Sequence, residues 1–434
     1  MNIALISIHH YERYANLKDT SEQTSSFLPV SSLTLMQLAA LTPEKYSITL
    51  FDNPADVKLY TDFDLVAIST VTPLARYVYK IADELRRKDI KVVLGGYHVS
   101  ALPIEAKQHA DSVVIGEAED TWPQLLKDFE KGELKPFYYQ EKLVDLYSLP
   151  NPKRKLLNKK NNIAPIQVSR GCPIGCEFCA ITNMRFRNIH RTRPIKQVKE
   201  EVASIPQKYL WFCDPSLTIN KEYTKKMFKE IKEFNKKLLK CNGNINVLAK
   251  EDELLKLSSE AGCLEWLVGF ESVSQESINS IGKTTNKVDE YKSAVKKIHD
   301  YGMEVRGEFI FGFDFDNTEI FEKTYKSIIE IGIDNPTLNI LTPYPGTALF
   351  NRLEREGRIL TKDWSRYNLW NVVFKPKKMS EDELLEGTYK LNKKIFSTSN
   401  TFSRIIKSAK LGPYPFKSTF LKNIRFWYNT YKNR

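Results

Sequence analysis

Two series of short apolar runs, each run followed by a stretch with helical spacing, dominate the first 345 of the 434 residues. In the first series the expected strands are residues 3–8, 47–51, 64–70, 91–96 and 112–116. Continuous apolar runs of this length, separated by amphipathic segments, are typical of parallel strands that helices cover on both faces. We therefore predict an α/β fold in which residues 1–135 form a flavodoxin-like or Rossmann-like domain.

The second series occupies residues 163–345. Its strands are expected at residues 164–168, 208–213, 241–248, 264–270, 304–311 and 337–342. Six such units are too few for a closed eightfold barrel, so a partial (β/α)6 barrel is predicted. Residues 136–162 are rich in Lys, Pro and Asn and are expected to be a linker. Residues 346–434 are predicted to form a mainly helical region.

The composition restricts the class of protein. At 42% hydrophobic and 27% charged residues, it excludes a wholly disordered chain. No stretch approaches the ~20 apolar residues that a membrane-spanning helix needs. The first residues lack a basic start and a small-residue cleavage site, so no secretory signal is expected. We expect a cytoplasmic protein, with peripheral attachment to the inner face of the cell membrane as an option.

Three of the six cysteines lie within eight residues: Cys172, Cys176 and Cys179, in the loop SRGCPIGCEFCAI. Three thiolates at this spacing can bind three irons of a 4Fe–4S cluster and leave the fourth iron open. A structural zinc site is the alternative, but zinc usually needs a fourth protein ligand, and only His190 is near. The remaining cysteines, Cys213, Cys241 and Cys263, are expected to be buried small apolar residues.

The CxxxCxxC motif, directly after the first strand of a predicted partial barrel, resembles that of the radical S-adenosylmethionine superfamily. The resemblance implies that S-adenosylmethionine binds the open iron and that its reductive cleavage yields a 5′-deoxyadenosyl radical. Phe178 matches the aromatic residue that contacts the adenine in the family. Packing over the cluster is the alternative role of this ring.

The same resemblance suggests cofactor contacts where later barrel strands end. Asp214 would lie near the methionine end of S-adenosylmethionine, and Glu271 and Ser272 near the ribose hydroxyls. Gly312 would let the backbone approach the adenine closely, and Asn339 closes the last strand. Each of these segments also fits an ordinary strand followed by a turn.

The run from Asp64 to Trp122 resembles the cobalamin-binding domain that precedes many radical enzymes. The C-terminal segments ILTPYPGTALF and PKKMS are similar as well. The candidate cobalamin contacts follow expected strands; they are Ser69, Thr70, Gly95, Gly96, Gly116 and Glu117. The glycine pair followed by Tyr97 and His98 favours a close ligand contact over a plain turn.

One feature departs from the better-known cobalamin pattern. Domains that supply an axial histidine carry DxHxxG after the first strand, whereas this chain has SIHHYERY. His9 and His10 are therefore weak axial candidates, and cobalamin is expected to bind without a protein ligand below the cobalt. A degenerate domain that merely shapes the active site is the alternative.

The charge is concentrated at the end of the chain. Residues 387–434 hold 11 basic residues, ten aromatic residues and no acidic residue, which leaves the rest of the chain near neutral. Contact with an anionic membrane surface is one interpretation, because aromatic residues suit the interface. A packed or solvated terminal helix is the second. Nucleic acid is the least favoured partner.

In layout, the chain resembles hopanoid methylases, tetraether-ring synthases and anaerobic magnesium-protoporphyrin cyclases. The resemblance implies cobalamin-dependent C-methylation of a hydrophobic or lipid-like substrate, with a low-potential electron donor of the ferredoxin or flavodoxin type. Cyclisation or another C–C bond formation is the alternative. RNA methylthiolation is disfavoured because no cysteine precedes Cys172. A non-enzymatic cobalamin or iron–sulfur sensor would leave the strand-end motifs without purpose.

Overall fold

The computed structural model describes residues 1–8, 32–52, 62–156 and 162–432. The strands are β1 (Asn2–Ile8), β2 (Ser47–Asp52), β3 (Leu65–Thr70), β4 (Lys91–Gly95), β5 (Ser112–Ile115), β6 (Phe137–Tyr139), β7 (Ile163–Ile166), β8 (Ser169–Arg170), β9 (Arg191–Thr192), β10 (Tyr209–Phe212), β11 (Lys237–Gly243), β12 (Glu265–Glu271), β13 (Glu304–Phe311) and β14 (Asn335–Ile340). The helices are α1 (Leu33–Leu41), α2 (Ala75–Arg86), α3 (Tyr97–Ala101), α4 (Pro103–Gln108), α5 (Thr121–Glu130), α6 (Ala180–Asn183), α7 (Ile195–Ser204), α8 (Lys221–Ile231), α9 (Ile245–Leu248), α10 (Asp252–Glu260), α11 (Gln275–Ser280), α12 (Tyr291–Asp300), α13 (Glu319–Ile331), α14 (Ala348–Arg355), α15 (Glu381–Ile395), α16 (Thr398–Ser408) and α17 (Pro413–Lys432).

The first sheet is parallel and has the strand order β2-β1-β3-β4-β5-β6. Its central strands are buried because helices cover both faces, and α2 turns one apolar stripe toward the sheet. The chain order reverses between β1 and β3, where loops diverge and ligands commonly bind. All five expected strands are present, and a sixth, β6, comes from the stretch expected to be a linker.

The second sheet is the predicted partial barrel, six parallel strands in the order β14-β13-β12-β11-β10-β7. β7 and β14 are its two edges. The strand expected at residues 241–248 is wrong in its bounds: β11 covers Lys237–Gly243, and Ile245–Leu248 is the short helix α9. A short apolar run such as INVL fits a strand and a helix equally well.

The C-terminal region is mainly helical, as predicted, and packs against both domains. Phe350, Trp364 and Tyr367 belong to the apolar core of the first domain, whereas Ile395 and Phe396 belong to the barrel core. The region thus fixes the two domains to each other through buried apolar contacts.

The hairpin of α16 and α17 covers the end of the barrel where the strands begin. Thr419 hydrogen-bonds Glu304, the first residue of β13, and Lys422 pairs with Glu265, the first residue of β12. The basic tail is therefore packed on one side. No helix of the described residues is long and apolar enough to cross a bilayer.

Candidate cofactor site between the two domains

The loop that carries the three cysteines is closed at its base. β8 and β9 pair antiparallel, and the Cys172 N–H donates to the Arg187 carbonyl at 2.8 Å. Gly171 has φ +85°, and a Cβ there would collide with the carbonyl of Ile189. This position therefore requires glycine.

The three thiols lie in an environment that fits an iron–sulfur cluster. Cys176 is buried and the other two are half-buried. Burial is the largest cause that raises the pKa of the Cys176 thiol to about 12; Lys283 opposes the shift, and Glu271, Cys179 and Cys172 add to it. Among the described residues, no three His, Cys, Asp or Glu side chains are arranged to hold one metal ion. A 4Fe–4S cluster does not need that arrangement, because each cysteine binds a different iron.

Phe178 lies within the cysteine loop, between Cys176 and Cys179, and the end of β12 lies beside the loop. The Phe178 ring is half-buried, packs against the barrel core and is 6.3 Å from the Phe313 ring. Glu271 is buried and paired with Lys283, whose ammonium also donates to the Gly269 carbonyl at 2.7 Å. The Ser272 hydroxyl accepts the N–H of Ser274 at 3.1 Å. Contacts of Glu271 and Ser272 with the ribose stay predictions.

Gly312 and Asn339 lie at the ends of the last two strands. Gly312 has φ +104°, and a Cβ there would lie 2.8 Å from Leu384 Cδ2 on α15. The backbone conformation and the packing against Leu384 therefore both require glycine at position 312. The family resemblance suggested adenine contact for this glycine and did not predict the packing. Asn339 is buried and donates to Glu308 at 3.0 Å.

Asp214 holds the segment that leads into the cysteine loop. Its carboxylate accepts the N–H of Val168 at 3.0 Å and the hydroxyl of Ser169 at 2.7 Å. Burial raises the pKa of Asp214 to about 7, although these hydrogen bonds oppose the shift. Its predicted contact with S-adenosylmethionine stays a prediction, because the structure assigns these oxygens to protein donors.

A cavity of about 500 Å³ opens at the carboxyl ends of the first sheet. All six predicted cobalamin contacts line it: Ser69, Thr70, Gly95, Gly96, Gly116 and Glu117. The small residues at these strand ends leave room for a ligand, and the cavity lies where the strand order reverses. These residues therefore fit a cobalamin site.

Neighbouring protein atoms explain two of these glycines. Gly96 has φ +104° and abuts the Thr70 carbonyl, and a Cβ on Gly116 would lie 2.6 Å from Gln140 Oε1. His98, which follows the Gly95-Gly96 pair, is not among the residues that line the cavity; its ring is fully buried and lies within hydrogen-bond distance of Thr72 and Glu105. Tyr97 does line the cavity.

The two candidates for an axial ligand of cobalt, His9 and His10, lie outside the described residues.

Glu117 has a different setting from the other predicted contacts. Its buried carboxylate lies 2.8 Å from Arg191, 2.9 Å from Arg187 and 3.5 Å from Arg170. Burial opposes ionisation, but the three arginines prevail and lower the pKa of Glu117. Sequence reasoning missed these arginines; the dense basic run RFRNIHRTR was the available signal. They connect the cysteine loop to the first domain.

A second cavity, of about 670 Å³, lies between the two domains and the C-terminal region. It shares Tyr97, Met184 and Trp211 with the first cavity, so the two are adjacent. Most of its lining residues are apolar or aromatic, while Lys240 and Asn339 are among the polar ones. Sequence reasoning missed Lys240, which has no motif around it.

The scattered cysteines divide into two groups. Cys241 and Cys263 are buried, as predicted. The prediction for Cys213 is wrong, because this residue is exposed and lines the smaller cavity at the end of β10. Cys213 follows directly after β10, at the edge of the cavity. The apolar pattern of the sequence does not distinguish such a position from the buried interior of a strand.

Three family models match the chain. Residues 166–328 match the radical SAM superfamily, and residues 55–126 match the B12 binding domain. Residues 347–426 match a domain of unknown function, DUF4070. The first two matches cover the barrel with its cysteine loop and the domain with the smaller cavity.

Relatives extend over most of the chain. The bacteriochlorophyllide d C-12(1)-methyltransferase of Chlorobaculum tepidum is 29% identical over 405 residues, covering 89% of this chain and 87% of that protein. The hopanoid C-2 methylase of Rhodopseudomonas palustris is 28% identical, covering 79% and 67%.

A solved structure shares the fold. The radical S-adenosylmethionine methyltransferase TsrM from Kitasatospora setae, with cobalamin and a 4Fe–4S cluster bound, superposes with a TM-score of 0.71 at 13% identity. The match covers 98% of this chain and 99% of that one. With the site geometry and the matches above, this establishes an enzyme that uses a 4Fe–4S cluster, S-adenosylmethionine and cobalamin. The chain therefore carries a radical SAM domain behind a B12 binding domain, and the relatives that share this layout include named methyltransferases.

Proposed function

We propose that the protein transfers a methyl group to a carbon atom of a hydrophobic, lipid-like substrate. The observation that carries this proposal is the largely apolar cavity of about 670 Å³ between the two domains. Ligands of parallel-sheet folds bind at the carboxyl ends of strands, and the cavity borders those ends in the first domain. In the barrel it extends along the inner face of the strands, where Leu267, Arg306 and Leu338 line it. Its volume suits a ligand of several hundred daltons or one section of a longer chain.

The residues of the cysteine loop and the smaller cavity are assigned to the cofactors. Cys172, Cys176 and Cys179 would hold the cluster, and the strand-end residues of the first domain would contact cobalamin. When bound, these cofactors supply the radical that removes a hydrogen atom and the methyl group that replaces it. The electron would come from a low-potential donor of the ferredoxin or flavodoxin type.

The protein's own contribution is positional. The ion pairs of Glu117 hold the cysteine loop against the first domain, so they would set the distance between the two cofactor sites. Asp214 fixes the entry to the same loop. Trp211 and Leu338 line the larger cavity and would keep water from the substrate carbon.

Ring closure or another C–C bond formation is the second candidate. It would use the same hydrogen abstraction and the same cavity, but the product would carry no added methyl group. The identity of the product therefore distinguishes the two.

The experiment compares lipid extracts of cells fed methionine with a deuterated methyl group, with and without the protein. Methyl transfer predicts a new lipid that carries one trideuteromethyl group, detected by mass spectrometry. The Cys172→Ala/Cys176→Ala/Cys179→Ala variant should lack this lipid. The matched Cys263→Ala variant, at a buried cysteine that lines neither cavity, should produce it. A new product without the label would favour cyclisation, and no product would contradict a lipid substrate.

We further propose that the hairpin of α16 and α17 contacts an anionic membrane surface. Its exposed apolar residues are Phe402, Ile406, Phe416, Phe420 and Leu421. The exposed Lys407 and Lys417 lie on the same two helices, and the exposed Lys410 lies in the turn between them. Apolar residues flanked by lysines are typical of helices that lie in the membrane interface, and such docking would bring the enzyme to a lipid substrate.

A further inference from the structure

Lys240 faces the larger cavity without an anionic partner. It lies on β11, and its Nζ is 4.5 Å from the centre of the Trp211 ring. In the part of the chain that the structure describes, Lys283 pairs with Glu271 and Arg306 with Glu265, whereas no carboxylate lies within 4.0 Å of Lys240 Nζ.

Such a cation needs an anion to compensate for its lost hydration. Burial lowers the pKa of Lys240. An ammonium in an apolar wall costs free energy unless a counter-charge reaches it. Glu308, the acidic residue in the same lining, opposes this shift of the Lys240 pKa, but burial outweighs it and Glu308 forms no ion pair with Lys240 within 4.0 Å. Its carboxylate accepts a hydrogen bond from Asn339 at 3.0 Å instead.

Asn368 supplies a second, independent sign of a missing polar partner in this cavity. It is 8% exposed, and its Oδ1 accepts the backbone N–H groups of Trp370 and Asn371, each at 3.1 Å. These two donors fix the orientation of the amide. Its Nδ2 has no acceptor among the described residues, although Asn368 lines the cavity.

The donor set indicates which anion fits. A phosphate usually takes an arginine fork or a helix N-terminus with several N–H groups. Here Arg306 is engaged by Glu265 at 3.1 Å, and Arg185 is exposed with its guanidinium over the Phe186 ring. The ammonium of Lys240 and the amide of Asn368 are the donors on which the inference rests. Two donors suit the single charge of a carboxylate, and the remaining lining is mainly apolar.

We propose that the larger cavity binds an amphipathic carboxylic acid, with the carboxylate paired to Lys240 and an oxygen of the same molecule accepting from Asn368. This inference rests on the proposed function, because it names the substrate class of that cavity. The inference is tested by ligand binding and not by turnover. A negative binding result can therefore be told apart from a failure to observe methyl transfer.

The experiment measures calorimetric binding of octanoate, octanol and octyl phosphate to the reconstituted holoenzyme. Octanoate should bind at least about tenfold more tightly than octanol, because only octanoate pairs with Lys240. Lys240→Met should remove this preference and Lys240→Arg should retain it. The matched control is Lys237→Met on the same strand, whose ammonium lies over Tyr414 instead, and it should behave like the wild type.

Asn368→Asp tests the second anchor without disturbing its turn. The substituted side chain still accepts the same backbone donors, but it places an acceptor where Nδ2 lies. Octanoate affinity should fall about tenfold, and octanol affinity should change less.

Three results would overturn the inference: equal binding of octanoate and octanol, a preference that survives Lys240→Met, or tighter binding of octyl phosphate than of octanoate. A fourth would reassign the residue. If Lys240→Met weakens binding of S-adenosylmethionine and leaves the octanoate preference intact, Lys240 serves the cofactor instead.

Discussion

Glu117 Oε1 accepts a hydrogen bond from Arg191 Nη2 at 2.8 Å, and Glu117 Oε2 accepts one from Arg191 Nη1 at 2.9 Å. This bidentate pair joins the edge of the first domain to the strand that closes the cysteine loop. Because both partners are largely buried, their geometry is held more firmly than that of a surface pair. Together with the apolar contacts of the C-terminal region, this carboxylate holds the cysteine loop against the first domain.

Glu117→Gln should destabilise the protein strongly. The substitution keeps the shape but leaves Arg187 and Arg191 without their anion, whereas Arg170 keeps Glu119 at 2.6 Å. Breaking a buried pair of this kind costs about 3–5 kcal/mol. Chemical denaturation measures the loss, and limited proteolysis between the domains should become faster. The matched control is Glu130→Gln, which removes an exposed pair with Lys45 and should leave the unfolding midpoint unchanged. Equal midpoints for the two variants would contradict the role given to Glu117.

The same carboxylate predicts a pH dependence. The pKa of Glu117 is below its ordinary value of 4.5, since the arginines outweigh the opposing effect of burial. A lowered folded-state pKa contributes stability that is fully present above the unfolded-state pKa and is lost as the pH falls through the folded-state pKa. The difference in unfolding free energy between wild type and Glu117→Gln should shrink below about pH 4.5. A difference that stays constant from neutral pH to pH 3 would show that folding does not shift the pKa of Glu117, which would contradict its pairing with the arginines.

Gly96→Ala should weaken both the fold and cobalamin retention. Gly96 has φ +104° and its added Cβ would meet the Thr70 carbonyl. Positive φ alone costs a non-glycine residue about 1–2 kcal/mol, and a steric clash adds about 1–3 kcal/mol. Gly132→Ala is the control, because Gly132 has φ +73° with open space around it. Equal destabilisation of the two variants would mean that the approach of Thr70 is unimportant.

Cobalamin should bind without a histidine on cobalt. His98 is fully buried, and its two ring nitrogens lie within hydrogen-bond distance of Thr72 and Glu105, so it is unavailable. Electron paramagnetic resonance of the Co(II) form should lack nitrogen splitting from an axial base, and His98→Ala should leave the cobalt spectrum unchanged. Nitrogen splitting that disappears in His10→Ala would contradict this prediction.

If the hairpin of α16 and α17 contacts membranes, the protein should bind to anionic vesicles. Each lysine near the surface contributes about 1 kcal/mol, less with added salt, while aromatic burial is insensitive to salt. Phe402→Ser/Phe420→Ser should reduce vesicle co-sedimentation, and Ile104→Ser, at an exposed site of the first domain, should not. Point variants are preferred to truncation because α17 packs on the barrel. Equal pelleting of all three proteins would leave the hairpin as a packed terminus, and salt-sensitive RNA binding instead would favour nucleic acid.

Patterns within short segments of the sequence predicted most strands and the candidate cluster loop. Apolar runs located five strands of the first sheet and six of the barrel, and cysteine spacing located the candidate cluster loop. β6 was missed because three residues, Phe137–Tyr139, carry too little periodicity and lie between polar segments.

Contacts between distant segments could not be predicted in the same way. Glu117 and Arg191 are 74 residues apart, so nothing near Glu117 in the sequence reveals its partner. The reason for glycine at position 312 lies on α15, at Leu384. The sequence pattern predicted where the strands end. Which side chains at those ends face a cavity and which contact other protein residues is known only from the tertiary structure.

Cleavage of S-adenosylmethionine by the anaerobically reconstituted, reduced holoenzyme tests the central claim most directly. Chromatography should detect 5′-deoxyadenosine from the wild type and from Cys263→Ala, whose buried cysteine lines neither cavity. The Cys172→Ala/Cys176→Ala/Cys179→Ala variant should bind little iron, lose the ~400 nm absorbance of the cluster and form no 5′-deoxyadenosine. Cleavage that persists in this triple variant would contradict the assignment of the cluster to these three cysteines.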